Sequence, residues 1–121
     1  MTYEKSSIRL RVMFGGKAML GPGKADLLEQ IRQTGSISAA GKRMGMSYKR
    51  AWMLVETLNT IFKEPLVESS RGGSSGGGTI LTPTGRYVLK QYRKLETKAG
   101  AAGRREIANL QELLMDISSR K

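Results

Sequence analysis

Residues 36–62 read SISAAGKRMGMSYKRAWMLVETLNTIF, and this stretch decides the fold. Ser36 precedes a short segment in which Ala40 and Met44 share one face, as in a helix capped by a serine hydroxyl. Gly45 allows the chain to turn sharply, and Ser47 stands where a second cap is needed. From Tyr48 to about Phe62, the residues Ala51, Leu54, Val55, Leu58, Ile61 and Phe62 form one apolar stripe at helical spacing. Two helices joined by a turn of about three residues are the pattern of a helix-turn-helix. On the face away from the stripe lie Lys49, Met53, Glu56 and Thr60, with Tyr48 and Trp52 on one flank and Arg50 on the other. The polar end is the N-terminal end, as required of a helix whose first turns enter the DNA major groove while its later turns anchor in the core.

Working outward, Leu27, Leu28 and Ile31 recur at helical spacing after Gly21-Pro22-Gly23, and Gly35 stands as a C-terminal stop. Upstream, Ile8, Leu10, Val12 and Phe14 alternate with Arg9, Arg11 and Met13, the period of a strand with one buried face, ended by Gly15-Gly16. Two roles stand for that strand: completing the sheet of a wing, or contacting a second subunit. Downstream, Leu66–Ser70 and Thr79–Leu81 flank Arg71-Gly72-Gly73-Ser74-Ser75-Gly76-Gly77-Gly78, the tip of a β-hairpin wing. Thr82-Pro83-Thr84-Gly85 opens a further helix carrying Val88, Leu89, Tyr92 and Leu95 on one side and Lys90, Arg93 and Lys94 on others. An Ala/Gly-rich joint at 99–103 precedes a three-four repeat, Ile107, Leu110, Leu114 and Ile117, which reads either as a dimer seam or as the inner face of a helix folded back on its own domain. The expected architecture is mainly α with a small β-hairpin wing, a winged helix-turn-helix over residues 8–98, with a C-terminal helix at 104–119.

Composition narrows the function. The chain has 121 residues, a size for one domain, with 39% hydrophobic residues and seven Met to fill a core. A net charge of +11 attracts polyanions, nucleic acid first and acidic membrane second. Between residues 35 and 63 the cations Lys42, Arg43, Lys49, Arg50 and Lys63 face a single acid, Glu56. The chain contains neither Cys nor His, so thiolate chemistry, disulfides, the common zinc ligands and the usual general base are excluded, and no enzyme, cofactor or metal is expected. Ile8–Phe14 carries Arg9 and Arg11 and cannot serve as the apolar region of a signal peptide, and no run approaches eighteen apolar residues. A cytoplasmic protein without a membrane segment is expected. Gly72, Gly77 and Thr79 match part of a phosphate-binding loop, but Gly78 occupies the lysine position and no strand-to-helix context surrounds it. Gly21-Pro22-Gly23 lacks the third glycine of a dinucleotide fingerprint.

The candidate DNA-contacting residues are Ser36, Ser38, Lys42, Ser47, Tyr48, Lys49, Arg50 and Met53 of the helix pair, with Arg71, Gly72, Gly73, Ser74 and Ser75 of the wing tip. Basic residues at a helix N-terminus oppose its dipole, and that cost argues for a use on phosphates or guanine edges. Trp52 has two readings, as core beneath the wing or as a platform against DNA sugars. Rivals from other classes are a nucleic-acid-coating protein that binds by charge alone and a small module that docks a partner protein.

The segments Gly35–Ser38, Ser47–Trp52, Leu66-Val67-Glu68, Gly72-Gly73-x-x-Gly76-Gly77-Gly78 and Leu81-Thr82 together resemble the N-terminal domain of the ModE family of molybdate-responsive transcription regulators. The resemblance runs from about Leu10 to Leu95; more distantly the chain is similar to the LysR-type winged helix. It implies a homodimer on palindromic double-stranded DNA, with base contacts from the helix that starts at Ser47 and backbone contacts from the Gly-rich hairpin. In that family a C-terminal pair of small β-barrel domains binds molybdate or tungstate. Here only residues 96–121 follow the resemblance, and Arg104–Lys121 cannot build such a barrel, so a form without its own oxyanion sensor is expected. The signal would then come from an unidentified effector or partner protein.

Overall fold

A computed structural model describes residues 6–70 and 78–115. The helix-turn-helix is built on α1 (Pro22–Thr34), α2 (Ile37–Arg43) and α3 (Tyr48–Ile61). A first antiparallel pair, β1 (Val12–Met13) with β2 (Met19–Leu20), precedes them, and a second, β3 (Val67–Ser70) with β4 (Gly78–Leu81), follows. Two further helices, α4 (Pro83–Ala102) and α5 (Arg104–Gln111), follow among the described residues. This is the winged helix-turn-helix anticipated from residues 36–62 and the hairpin pattern at 66–81.

The core lies where α1, α2 and α3 meet beneath β3, β4 and α4. Leu27, Leu28, Ile31, Leu58 and Leu66 are fully buried there, joined by Ala40, Ala51, Val55, Val67, Leu81, Leu89 and Tyr92. α1 begins with Pro22, whose fixed φ suits a first helical turn, and ends at Gly35. Between α2 and α3 the chain passes Gly45 at φ 71°, a left-handed conformation costly for residues with a Cβ, and this sets the angle between the two helices.

The N-terminal segment departs from the expected strand. Only Val12 and Met13 pair, and their partners are Met19 and Leu20, which a two-residue strand is too short to announce by periodicity. The chain reverses through Gly15 and Gly16, where the Phe14 amide donates to the Ala18 carbonyl at 3.0 Å. The pair β1–β2 forms its own sheet and does not complete the wing's sheet. Phe14 meets Phe62 edge to face, with centroids 5.9 Å apart, which fastens this hairpin to the end of α3. Farther along, the Tyr92 hydroxyl donates to the Leu10 carbonyl at 2.6 Å, and Arg93 and Arg9 share Asp26 of α1.

No joint interrupts the helix at 99. Ala99, Ala101 and Ala102 are strong helix formers that outweigh Gly100, so α4 continues to Ala102 and breaks at Gly103. The helix beyond is α5, Arg104–Gln111, and none of its residues is buried. Leu110 is 64% exposed, Leu114 is also exposed, and Ile117 lies outside the described residues. Ile107, by contrast, is half-buried, and with Ile8 it lines a hollow between the N-terminal segment, α4 and α5. Among the described residues no helix is long and apolar enough to cross a membrane.

Candidate nucleic-acid interface

Two serines hold the helix pair in place. The Ser36 hydroxyl accepts the Ala39 amide at 3.0 Å and caps α2, while the Ser47 hydroxyl accepts the Arg50 amide at 3.1 Å and caps α3. Ala51, Val55 and Leu58 then pull one side of α3 into the core. The rotation that buries them turns the other side outward. Tyr48 is 57% exposed and Met53 is 55% exposed, and Lys49, Arg50, Glu56, Thr57 and Thr60 are exposed too. Ser47, Lys49, Arg50, Met53, Leu54 and Thr57 line a shallow depression of about 260 Å³ along this side.

Neither Lys49 nor Arg50 forms an ion pair among the described residues, and α3 has no acid in its first turn. The positive end of the helix dipole and two uncompensated cations thus point the same way, an arrangement suited to phosphate oxygens and to the acceptor edge of guanine. On α2, Ser38 and Lys42 are exposed and Ser36 is half-buried. Arg43 is committed to α1, donating to Gln30 Oε1 at 3.0 Å and Gln33 Oε1 at 3.1 Å. Arg71, Gly72, Gly73, Ser74 and Ser75 lie outside the described residues.

Trp52 is 43% exposed, which overturns its reading as core beneath the wing. It sits one residue, or about 100°, beyond Ala51, and Val55 and Leu58 already occupy the inward positions. Its indole is left on the flank of the exposed surface.

Asn59 escaped the sequence reading, and it fixes the wing relative to α3. Its Oδ1 accepts the amides of Leu66 and Val67 at 2.8 and 3.1 Å, and its Nδ2 donates to the Val67 carbonyl at 3.0 Å. A polar residue adjoining an apolar stripe was the available signal, but nothing in the spacing named its partners. The other edge of the wing is held by the Thr79 amide, which donates to the Gly35 carbonyl at 2.9 Å. At the wing's exit, buried Thr82 donates through its hydroxyl to the Pro65 carbonyl at 2.8 Å and accepts the Gly85 amide at 2.9 Å, capping α4.

Comparison with known proteins agrees with this geometry. Residues 24–86 match the family described as bacterial regulatory helix-turn-helix protein, lysR family. The molybdenum-pterin-binding protein MopB of Rhodobacter capsulatus is 42% identical over 85 residues, which is 70% of this chain and 31% of that protein. The molybdenum transport protein ModE of Azotobacter vinelandii is 46% identical over 76 residues, 63% of this chain and 28% of that one. The DNA-binding transcriptional dual regulator ModE of Escherichia coli K12 is 35% identical over 88 residues, covering 73% and 34%. The chain thus spans about a third of the length of these relatives. Among solved structures, the DNA-binding domain of CbnR, from a complex with DNA, superposes with a TM-score of 0.57 at 24% identity over 73% of this chain and 95% of that one, a likeness of fold. The fold, the capped helix pair and the match across more than half of its length show that this chain belongs to the lysR family of bacterial regulatory helix-turn-helix proteins.

Proposed function

We propose that this chain is a sequence-specific DNA-binding transcription regulator of ModE type that acts as a homodimer. The observation that carries the reading is the first turn of α3, where Tyr48, Lys49 and Arg50 are exposed and free of ion pairs among the described residues on a helix anchored by Ala51, Val55 and Leu58. That turn enters the major groove, with Lys49 and Arg50 donating to guanine acceptors and Tyr48 and Met53 lying against neighbouring sugar or thymine methyl surface. Ser36, Ser38, Ser47 and Lys42 hold the backbone on either side, and Arg71 with Gly72–Ser75 follows the adjacent phosphates. The exposed apolar residues Tyr87 and Leu95 of α4, Leu110 of α5 and Leu113 just beyond it supply the dimer contact.

Fluorescence anisotropy against a duplex enriched from a random library, and against its scrambled counterpart, tests this reading across a range of salt concentrations. The reading requires a preference of roughly a thousandfold or more that survives at physiological salt. Equal affinities that collapse together with salt would replace it with coating by charge, and negligible affinity for both with protein docking. Sedimentation equilibrium reports the dimer; a monomer at the concentrations that saturate the duplex would remove it.

A further inference from the structure

A second cationic surface lies on α4, away from the apolar residues that line its other exposed side. Arg86, Lys90, Lys94 and Lys98 follow one another at intervals of four, all four are exposed, and they run in line for about 18 Å along the helix. They border a groove of about 600 Å³ between α1 and α4, which Glu29, Arg32, Leu89, Arg93 and Thr97 also line. The acids near this groove are already matched. Glu29 pairs with Arg32 and accepts Gln33 at 2.8 Å, and the Arg32 hydrogen bond holds its carboxyl below the usual carboxylate range. Arg93 lies 2.9 Å from Asp26 and 3.0 Å from Glu96. These three carboxylates are therefore each satisfied by a cation outside the row, and the row itself forms no ion pair among the described residues. Four like charges at this spacing repel one another, which favours a partner that neutralises all of them together.

We infer that this row is a second track for the DNA backbone, engaging duplex that flanks the stretch read by α3. A duplex carries about one negative charge per 1.7 Å of axis with both strands counted, or about one per 3.4 Å of a single strand, so one strand lying along the row offers roughly five phosphates to its four cations. Arg32, paired with Glu29, stands at the edge of the groove, and beside it Gln33 of α1 holds Arg43 of α2, which ties this side of the domain to the helix pair. The inference rests on the DNA-binding reading, but its failure can be told apart from the failure of that reading.

The test compares the wild type with K90Q/K94Q/K98Q on two duplexes, one trimmed to the shortest length that retains sequence preference and one extended by about ten base pairs, roughly one helical turn, on each side. Each lost phosphate contact lowers the slope of log affinity against log salt by about 0.9, so the triple variant is expected to lose about 2.7 on the extended duplex. Between about 50 and 200 mM salt the advantage of the wild type then shrinks roughly forty-fold. On the trimmed duplex the two proteins are expected to match, with the same preference for operator over scrambled DNA. K90R/K94R/K98R keeps the charges and is expected to keep the wild-type slope. An unchanged slope for the glutamine variant on extended DNA overturns the inference, as does a loss of slope in the arginine variant. If neither duplex type shows sequence preference, the α3 reading fails; the row is then judged by the same slope difference on long random-sequence duplex.

Discussion

Gly85→Ala and Gly100→Ala make the same chemical change in one helix and are expected to move stability in opposite directions. At Gly85 a Cβ would stand 2.1 Å from the Leu66 carbonyl oxygen, 2.9 Å from its carbon and 3.2 Å from its Cα, all backbone atoms that cannot rotate away. Ordinary contact requires a retreat of roughly 1 Å or more, and β3 would have to move relative to α4. Overpacking of this kind costs about 1–3 kcal/mol, and the hydrogen bond from the Thr82 amide to the same carbonyl, 2.9 Å long, adds about 0.5–1.5 kcal/mol if it breaks. Alanine's better helix propensity returns at most about 1 kcal/mol. The net expectation is a loss of about 2 kcal/mol. At Gly100 a Cβ would meet nothing within 4 Å, so alanine there is expected to gain about 0.4–1 kcal/mol through the unfolded chain. Urea unfolding followed by the helical circular dichroism signal gives both values, with unchanged m-values as the two-state control. If Gly85→Ala proved as stable as the wild type, the close approach of β3 to α4 would be wrong, and with it the account of how the wing is oriented.

Further expectations concern the interface and its supports. Asn59→Ala leaves the Leu66 and Val67 amides without their acceptor and is expected to cost about 2–3 kcal/mol in the same urea assay, whereas a loss below about 0.5 kcal/mol would mean that water replaces the side chain. Ser47→Ala removes the α3 cap at a cost of about 1 kcal/mol, and Ser47→Asp, which keeps an acceptor, is expected to restore most of it in thermal melts. Lys49→Ala or Arg50→Ala is expected to cost about 1–3 kcal/mol on operator DNA and to relax base preference, whereas Arg71→Ala weakens all sequences alike; equal losses on operator and random DNA for all three would refute the base-reading role. Burial pushes the Tyr92 phenol above its ordinary value, so its contribution is full below the unfolded pKa of about 10 and is lost as pH rises through the folded value. Tyr92→Phe is expected to lose about 1 kcal/mol at neutral pH and to flatten the alkaline limb of stability; a limb as steep as in the wild type would point to another group.

What could be read in advance followed from local rules. α3 was legible because Ala51, Val55 and Leu58 recur at a helical period and Ser47 stands at the cap position. The exposure of Tyr48, Lys49, Arg50 and Met53 followed from the same rotation. β2 was not legible because two residues carry no period, and Trp52 stayed between two readings because a large aromatic suggests burial while the helix phase puts it on the rim. The continuation of α4 through Gly100 was missed because alanines on both sides override one weak former.

By itself, then, the sequence determined the order of helices, their caps, the outward face of α3 and the excess of positive charge, because each depends on neighbours within one or two turns. Only the tertiary structure decided how the wing is held: Asn59 reaching Val67, Thr79 reaching Gly35, and Gly85 lying against Leu66. The same holds for the basic row on α4, whose residues were visible one by one but whose lack of a partner among the nearby carboxylates depends on Arg32 and Arg93 having taken Glu29, Asp26 and Glu96. Contacts between residues far apart in the chain depend on the packing of whole elements, and no local period records them.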